Sequence, residues 1–189
     1  FDLALTLSMG LPFFDGARPG RSGPVIMCQQ EDKPGDIAAR LSGIQLVKEG
    51  IASPREISPG LWELSLPSTP PLYLHQDMRL HLGDAEVMGR IEERIKELGA
   101  IAVIGDPLYS MVPTEDHMSQ AARLMLGPKR IRNETDCSFI FAHHTTKGSR
   151  GKRGRERMHG SNLLLGSMEA FLEVHKLGPE DSTQIIVEP

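Results

Sequence analysis

Five side chains able to do acid–base or metal chemistry stand where apolar runs of this sequence end. Val25-Ile-Met-Cys-Gln-Gln runs into Glu31 and Asp32, Ile101-Ala-Val-Ile-Gly into Asp106, and Cys137-Ser-Phe-Ile-Phe-Ala into His143 and His144. Carboxylates bind hard cations and accept protons, and imidazole titrates near neutral pH, so the set covers metal binding and proton transfer. One acid at one strand end means little, because Asp and Glu also cap helices and open turns. Three strand ends carrying such groups together make a candidate site.

For those groups to meet, the runs must be neighbouring strands of one parallel sheet, where ligands bind in the crevice beyond the carboxyl ends. The runs lack polar alternation, as strands buried on both faces do. Between them, Ala85 to Leu98 sets Val87, Ile91, Ile95 and Leu98 among Glu92, Glu93, Arg94 and Lys96, an amphipathic helix closed by Gly99. The opening FDLALTLSMGLPF reads as the end of a helix buried on most sides and stopped by Gly10 and Pro12, as in a chain that begins mid-helix. Asp36-Ile-Ala-Ala-Arg-Leu is helical in pattern. A further helix is expected over 116–126, stopped by a Gly127-Pro128 break and followed by a charged connection to Asp136. Residues 53–71, rich in Pro, Ser and Gly, predict an irregular connection with one strand at Leu61 to Leu66, and another follows at Leu72 to His75. Ser161 to Leu165 predicts a short helix or turn, with strands at Ala170 to Val174 and Gln184 to Val187. The sum is one α/β domain over 1–189, a mainly parallel sheet flanked by helices.

The net charge of −4 conceals an uneven distribution. Lys147, Arg150, Lys152, Arg153, Arg155 and Arg157, opposed by Glu156 alone, make residues 147–157 strongly basic on an otherwise acidic body. Such a segment fits a focused contact with a polyanion. Cys28 and Cys137 lie in apolar runs without a second Cys or His at ligand spacing, so they read as buried reduced thiols. No run approaches the ~20 apolar residues of a membrane span, and the opening lacks the flanks of a secretory signal, so a cytoplasmic protein with no membrane partner is expected.

An apolar strand ending in Asp, as at Asp106, has the form of a Walker B segment, whose carboxylate binds, usually through water, the Mg2+ on ATP. The matching Walker A loop, GxxxxGK followed by Ser or Thr, occurs nowhere in the 189 residues. If the chain is an NTPase, that loop and the first strand are expected upstream of Phe1, making this an N-terminally truncated core.

The order of motifs resembles the RepA-like hexameric replicative helicases and their AAA_25 relatives, a branch of RecA-like P-loop NTPases. The resemblance rests on Asp2-Leu-Ala-Leu-Thr-Leu, Gly10 to Phe13, the strand to Glu31-Asp32 with Arg40-Leu41 downstream, Asp106-Pro107-Leu108, Phe141-Ala-His-His-Thr-Thr-Lys147, and Gly160-Ser161. It covers nearly the whole chain. It implies that Glu31 orients or activates the attacking water, that Asp106 is the metal-side acid, and that His143 or His144 senses the γ-phosphate and relays its presence to a DNA-binding loop. Asp32 also suits the cap of the helix after it, and the histidine pair also suits the cap of a turn. The family often shows Arg-Gly-Ser where this chain has His159-Gly160-Ser161, and imidazole does not replace a guanidinium. Arg155 and Arg157 are therefore the arginine-finger candidates.

The basic segment follows the His-His strand, where RecA-like proteins place a DNA-contacting loop facing the channel of a ring. Lys147, Arg150, Lys152, Arg153 and Arg155 suit phosphate neutralisation without sequence readout, since the segment holds no aromatic residue for base stacking. The resulting expectation is an ATP- and Mg2+-dependent helicase or translocase core moving on single-stranded DNA in replication. It would self-associate as a ring, a hexamer by resemblance, and be active as an ATPase only when the phosphate loop completes it. Two other readings stay open: a RecA-like regulatory or recombination ATPase without unwinding activity, and a non-enzymatic nucleic-acid-binding module with a degenerate nucleotide site.

Overall fold

Val25–Gln29 (β1) is buried at every position, which is why its sequence shows no polar alternation before its last residue. In the computed structural model the described residues are 1–12, 17–33, 36, 53–58, 61–66, 69–75, 81–112, 121–143, 166–170, 172–176 and 185–188. β1 lies inside a sheet with Ser53–Ser58 (β2), Leu61–Leu66 (β3), Thr69–His75 (β4), Ala102–Asp106 (β5) and Ser138–Phe141 (β6), in the order β2-β3-β4-β1-β5-β6. β4, β1, β5 and β6 are parallel, while β2 and β3 add an antiparallel meander at one side.

The period of two along each strand sends alternate residues to two different cores. Val25, Met27, Leu72, Leu74, Ala102 and Ile104 face helix Asp2–Met9 (α1), which contributes Ala4 and Leu5. Gly10 ends α1 in the left-handed region (φ 66°), its N–H returning to the Thr6 carbonyl, a conformation that glycine adopts without steric cost. Ile26, Cys28 and Val103 face the opposite way, onto helix Ala85–Leu98 (α2) and its neighbours.

α2 follows the sequence pattern closely. Asp84 caps it by accepting from the N–H groups of Glu86 and Val87, at 2.9 and 3.1 Å. Gly99 closes it at φ 62°, and Val87, Met88, Ile91 and Ile95 are its buried stripe. Each of these side chains contributes roughly 1.5–3 kcal/mol by leaving water.

Three expectations are corrected. Residues 53–58 form a strand, β2, not an irregular link. Prolines at 54, 70 and 71 look like breakers, but β2 is an edge strand, and Pro70 and Pro71 precede the point, Leu72, where β4 first pairs with β1. The Gly127-Pro128 pair does not break a helix: Leu126–Thr135 (α4) begins there, directly after the short helix Ala121–Leu124 (α3). Proline is tolerated in the first turn because those N–H groups have no intrahelical acceptor. The two late strands, Glu173–Lys176 (β7) and Ile185–Glu188 (β8), pair antiparallel as a separate ribbon and do not join the main sheet. The helical expectations at 36–41 and 161–165 fall outside the described residues, apart from Asp36, which is helical.

α2 and α4 pack together and are laced by charge at the surface. Arg130 donates to Glu92 (2.6 Å) and Glu134 (2.9 Å), and Lys96 also donates to Glu92. These donors hold the Glu92 carboxyl down at about 2, the Arg130 bond first and the Lys96 bond second. Among the described residues no helix is long and apolar enough to cross a membrane.

Candidate active site

Parallel pairing brings three strand ends to one edge. Gln29 of β1 stands opposite Asp106 of β5, and Gly105 of β5 opposite Phe141 of β6. Backbone bonding continues past the ladder: Gln30 N–H donates to the Asp106 carbonyl (3.0 Å), Ala142 N–H to Gly105 (2.9 Å), and Leu108 N–H to Ala142 (2.7 Å). Glu31 and Asp32 leave β1, Asp106 closes β5, and His143 follows β6, all at the carboxyl edge where ligands bind in such sheets.

Two further side chains knit this edge, and neither was singled out from the sequence. Gln29 is 3% exposed, a polar group inside the sheet. Its Oε1 accepts from the N–H of Glu31 (2.7 Å) and of Asp32 (3.4 Å), and its Nε2 donates to Asp32 Oδ2 (3.0 Å) and Asp106 Oδ2 (3.4 Å). Tyr109 lies in the 3-10 helix Leu108–Met111, which follows Asp106 through a cis Asp106–Pro107 peptide. Its phenol donates to Glu31 Oε1, bridging the segments that follow β1 and β5. That bond to Glu31 raises the phenol above its ordinary value of 10, with burial and the Glu31 charge adding to it. A signal for Gln29 existed, since Val-Ile-Met-Cys-Gln is polar only at its last, buried position. Tyr109 gave none, because a tyrosine three residues after a strand is ordinary in a loop.

Gly105 lets β5 place Asp106. A Cβ there would lie 2.6 Å from Met111 Sδ, 2.8 Å from Met111 Cε and 2.9 Å from Phe141 Cδ1. The 3-10 helix therefore folds Met111, fully buried, directly over the residue before the acid.

Of the residues expected from sequence, Glu31, Asp32, Asp106 and His143 share this edge. Asp32 directs its carboxylate and its N–H at Gln29. Glu31 is exposed, and Asp32, Asp106 and His143 are half-buried. His144, Lys147, Arg150, Lys152, Arg153, Arg155, Arg157 and His159 lie outside the described residues. Burial pushes the Cys28 and Cys137 thiols up to about 12, so both are protonated at neutral pH.

The donor set fits Mg2+. Among the described residues no group of three or more His, Cys, Asp or Glu side chains is arranged for a metal, and Mg2+ ordinarily takes one or two carboxylates and completes its shell with water and substrate phosphate. Asp106 and Asp32, whose Oδ2 atoms both accept from Gln29 Nε2, supply hard oxygen ligands of that kind.

Four parallel strands covered by helices, with acids gathered at their carboxyl ends, define an α/β fold of the RecA-like P-loop ATPase class. The family model AAA_25, described as an AAA domain, matches residues 1–150, and the chain belongs to that family of nucleotide-binding P-loop ATPases. No curated protein matches the chain.

Proposed function

We propose that the chain is the motor core of a DNA helicase or translocase of the RepA-like type, coupling hydrolysis of Mg-ATP to movement on single-stranded DNA as a ring, with a hexamer expected. The observation that supports it is the alignment of three strand ends: Glu31, Asp106 and His143 share one edge, and the basic segment 147–157 begins four residues after His143 in the sequence.

In this reading Glu31 orients the attacking water and accepts its proton at the carboxylate, which is exposed and braced by Tyr109. Asp106 would hold Mg2+ through water. The bound ion would neutralise phosphate charge. His143 or His144 reads the γ-phosphate at the end of β6, and a shift there passes along a few residues to Lys147, Arg150, Lys152, Arg153 and Arg155 on the DNA backbone. Arg155 or Arg157 reaches a neighbouring subunit's nucleotide as the arginine finger.

The test is strand displacement on a forked duplex by the full-length protein with ATP, alongside hydrolysis with and without single-stranded DNA. ATP-dependent unwinding with DNA-stimulated hydrolysis is the expected result. Hydrolysis without unwinding would replace the motor by a regulatory or recombination ATPase, and DNA binding without turnover would reduce it to a binding module.

A further inference from the structure

The amide of Gln29 spends its hydrogen-bonding capacity on the acids of the site. From the geometry we infer that Gln29 is a positioning residue for ATP hydrolysis, locking the Glu31 backbone, the Asp32 carboxylate and the Asp106 carboxylate into one frame. This inference rests on the assignment of Glu31 and Asp106 to the ATPase site.

Burial sets the first condition. A side-chain amide that is 3% exposed, at the end of a strand otherwise apolar, is retained only where its partners satisfy it. Here Oε1 faces two backbone donors, the N–H groups of Glu31 and Asp32, and Nε2 faces two carboxylate oxygens, of Asp32 and Asp106. The orientation of the amide is fixed by this chemistry, because exchanging O and N would set donor against donor and acceptor against acceptor. Its charged and apolar near-isosteres do not do both tasks. Glutamate would keep the acceptor but set a further negative charge against Asp32 and Asp106, and methionine or leucine would fill the space but leave the frame unmade.

The bonds also span elements. Glu31 and Asp32 belong to the turn after β1, and Asp106 closes β5, so the amide ties the proposed water-orienting segment to the proposed metal-side acid across the strand pair. Glu31 is tied a second time through Tyr109, from the 3-10 helix. A frame of this kind sets the distance between the two functions, and catalysis by positioning is sensitive to shifts of about 1 Å.

The experiment uses the full-length protein and two near-isosteric substitutions. Gln29→Met should lower kcat roughly 10- to 100-fold while KM for ATP stays within about 3-fold, as expected when ground-state binding survives and alignment is lost. Gln29→Glu, which sets a carboxylate where Nε2 donates to Asp32 and Asp106, should lower kcat at least as far. A readout independent of turnover is hydrogen exchange at the N–H groups of Glu31 and Asp32, which donate to Gln29 Oε1. In Gln29→Met both should exchange roughly 10-fold faster relative to the amides of β1 and β5. Wild-type kcat in Gln29→Met with only a lowered thermal midpoint would make Gln29 a packing residue and overturn the inference, as would unchanged relative exchange at these two amides. Should Gln29→Met not fold, wild-type kcat in Gln29→Glu overturns it equally. Should the wild-type protein not hydrolyse ATP at all, the ATPase reading fails, and the exchange of the two amides alone still decides whether Gln29 holds this turn.

Discussion

Gly105→Ala probes the point where the fold sets the geometry of Asp106. The added methyl would sit 2.6 Å from Met111 Sδ and 2.9 Å from Phe141 Cδ1, distances that real Cβ atoms do not show. Met111 is flexible in principle, but it is fully buried and shares its core with Leu108, Leu82 and Cys28. Overpacking of this kind costs about 1–3 kcal/mol. Taking ~2 kcal/mol and ~2–4 °C per kcal/mol for a domain of this size, the thermal midpoint should fall by about 4–8 °C. Hydrolysis should suffer more than stability, because the displaced residue is covalently next to Asp106, the proposed metal-side acid. Trimming the obstacle supplies the control. Met111→Ala alone should destabilise by about 2–5 kcal/mol through its cavity, but added to Gly105→Ala it should cost less than the sum, with a coupling of about 0.5–3 kcal/mol. Denaturant titration of the four proteins measures that coupling. Strict additivity, or a Gly105→Ala protein with wild-type midpoint and turnover, would refute the close approach of the 3-10 helix to β5.

Two further outcomes follow from charge. Because the fold holds Glu92 at about 2 against an ordinary 4.5, its contribution to stability is full above about pH 4.5 and is lost as pH falls through about 2. Glu92→Gln should therefore lower the thermal midpoint by a few degrees at neutral pH, consistent with ~1 kcal/mol for partly exposed pairs, and the gap to wild type should close in acid; a gap constant down to pH 2 would contradict the Arg130 and Lys96 pairing. For the basic segment, replacing Arg153 and Arg155 by Ala should weaken single-stranded DNA binding at low salt and flatten the log–log salt dependence by about 0.7 for each phosphate no longer neutralised. An unchanged slope, measured by fluorescence anisotropy, would remove those residues from the interface.

The strongly patterned parts of the fold were legible in the sequence. α2 carries its apolar stripe and its Gly99 stop in plain order, and β1 and β5 announce themselves as apolar runs because they are buried on both faces. β6 was located correctly, but its residues are only partly buried, since β6 stands at the end of the described sheet. What was hidden depended on context. Proline near Ser53–Ser58 is a breaker or an edge residue according to its neighbours in the sheet, and Gly127-Pro128 stops a helix or opens one according to which side the helix lies on. The gathering of the candidate residues was legible as types at strand ends, because a parallel sheet carries its strand ends to one edge. Gln29 and Tyr109 were not, because their roles come from hydrogen bonds between segments far apart in the chain, 77 and 78 positions for the bonds to Asp106 and from Tyr109 to Glu31.

Whether Glu31 orients the attacking water is decided by the rate of ATP hydrolysis by the full-length protein and its Glu31→Gln variant, each with and without single-stranded DNA at low and moderate salt. Turnover stimulated by DNA in the wild type and reduced roughly 10²- to 10⁴-fold in the variant is the predicted result. Equal turnover by the two proteins would contradict it and place the catalytic carboxylate elsewhere.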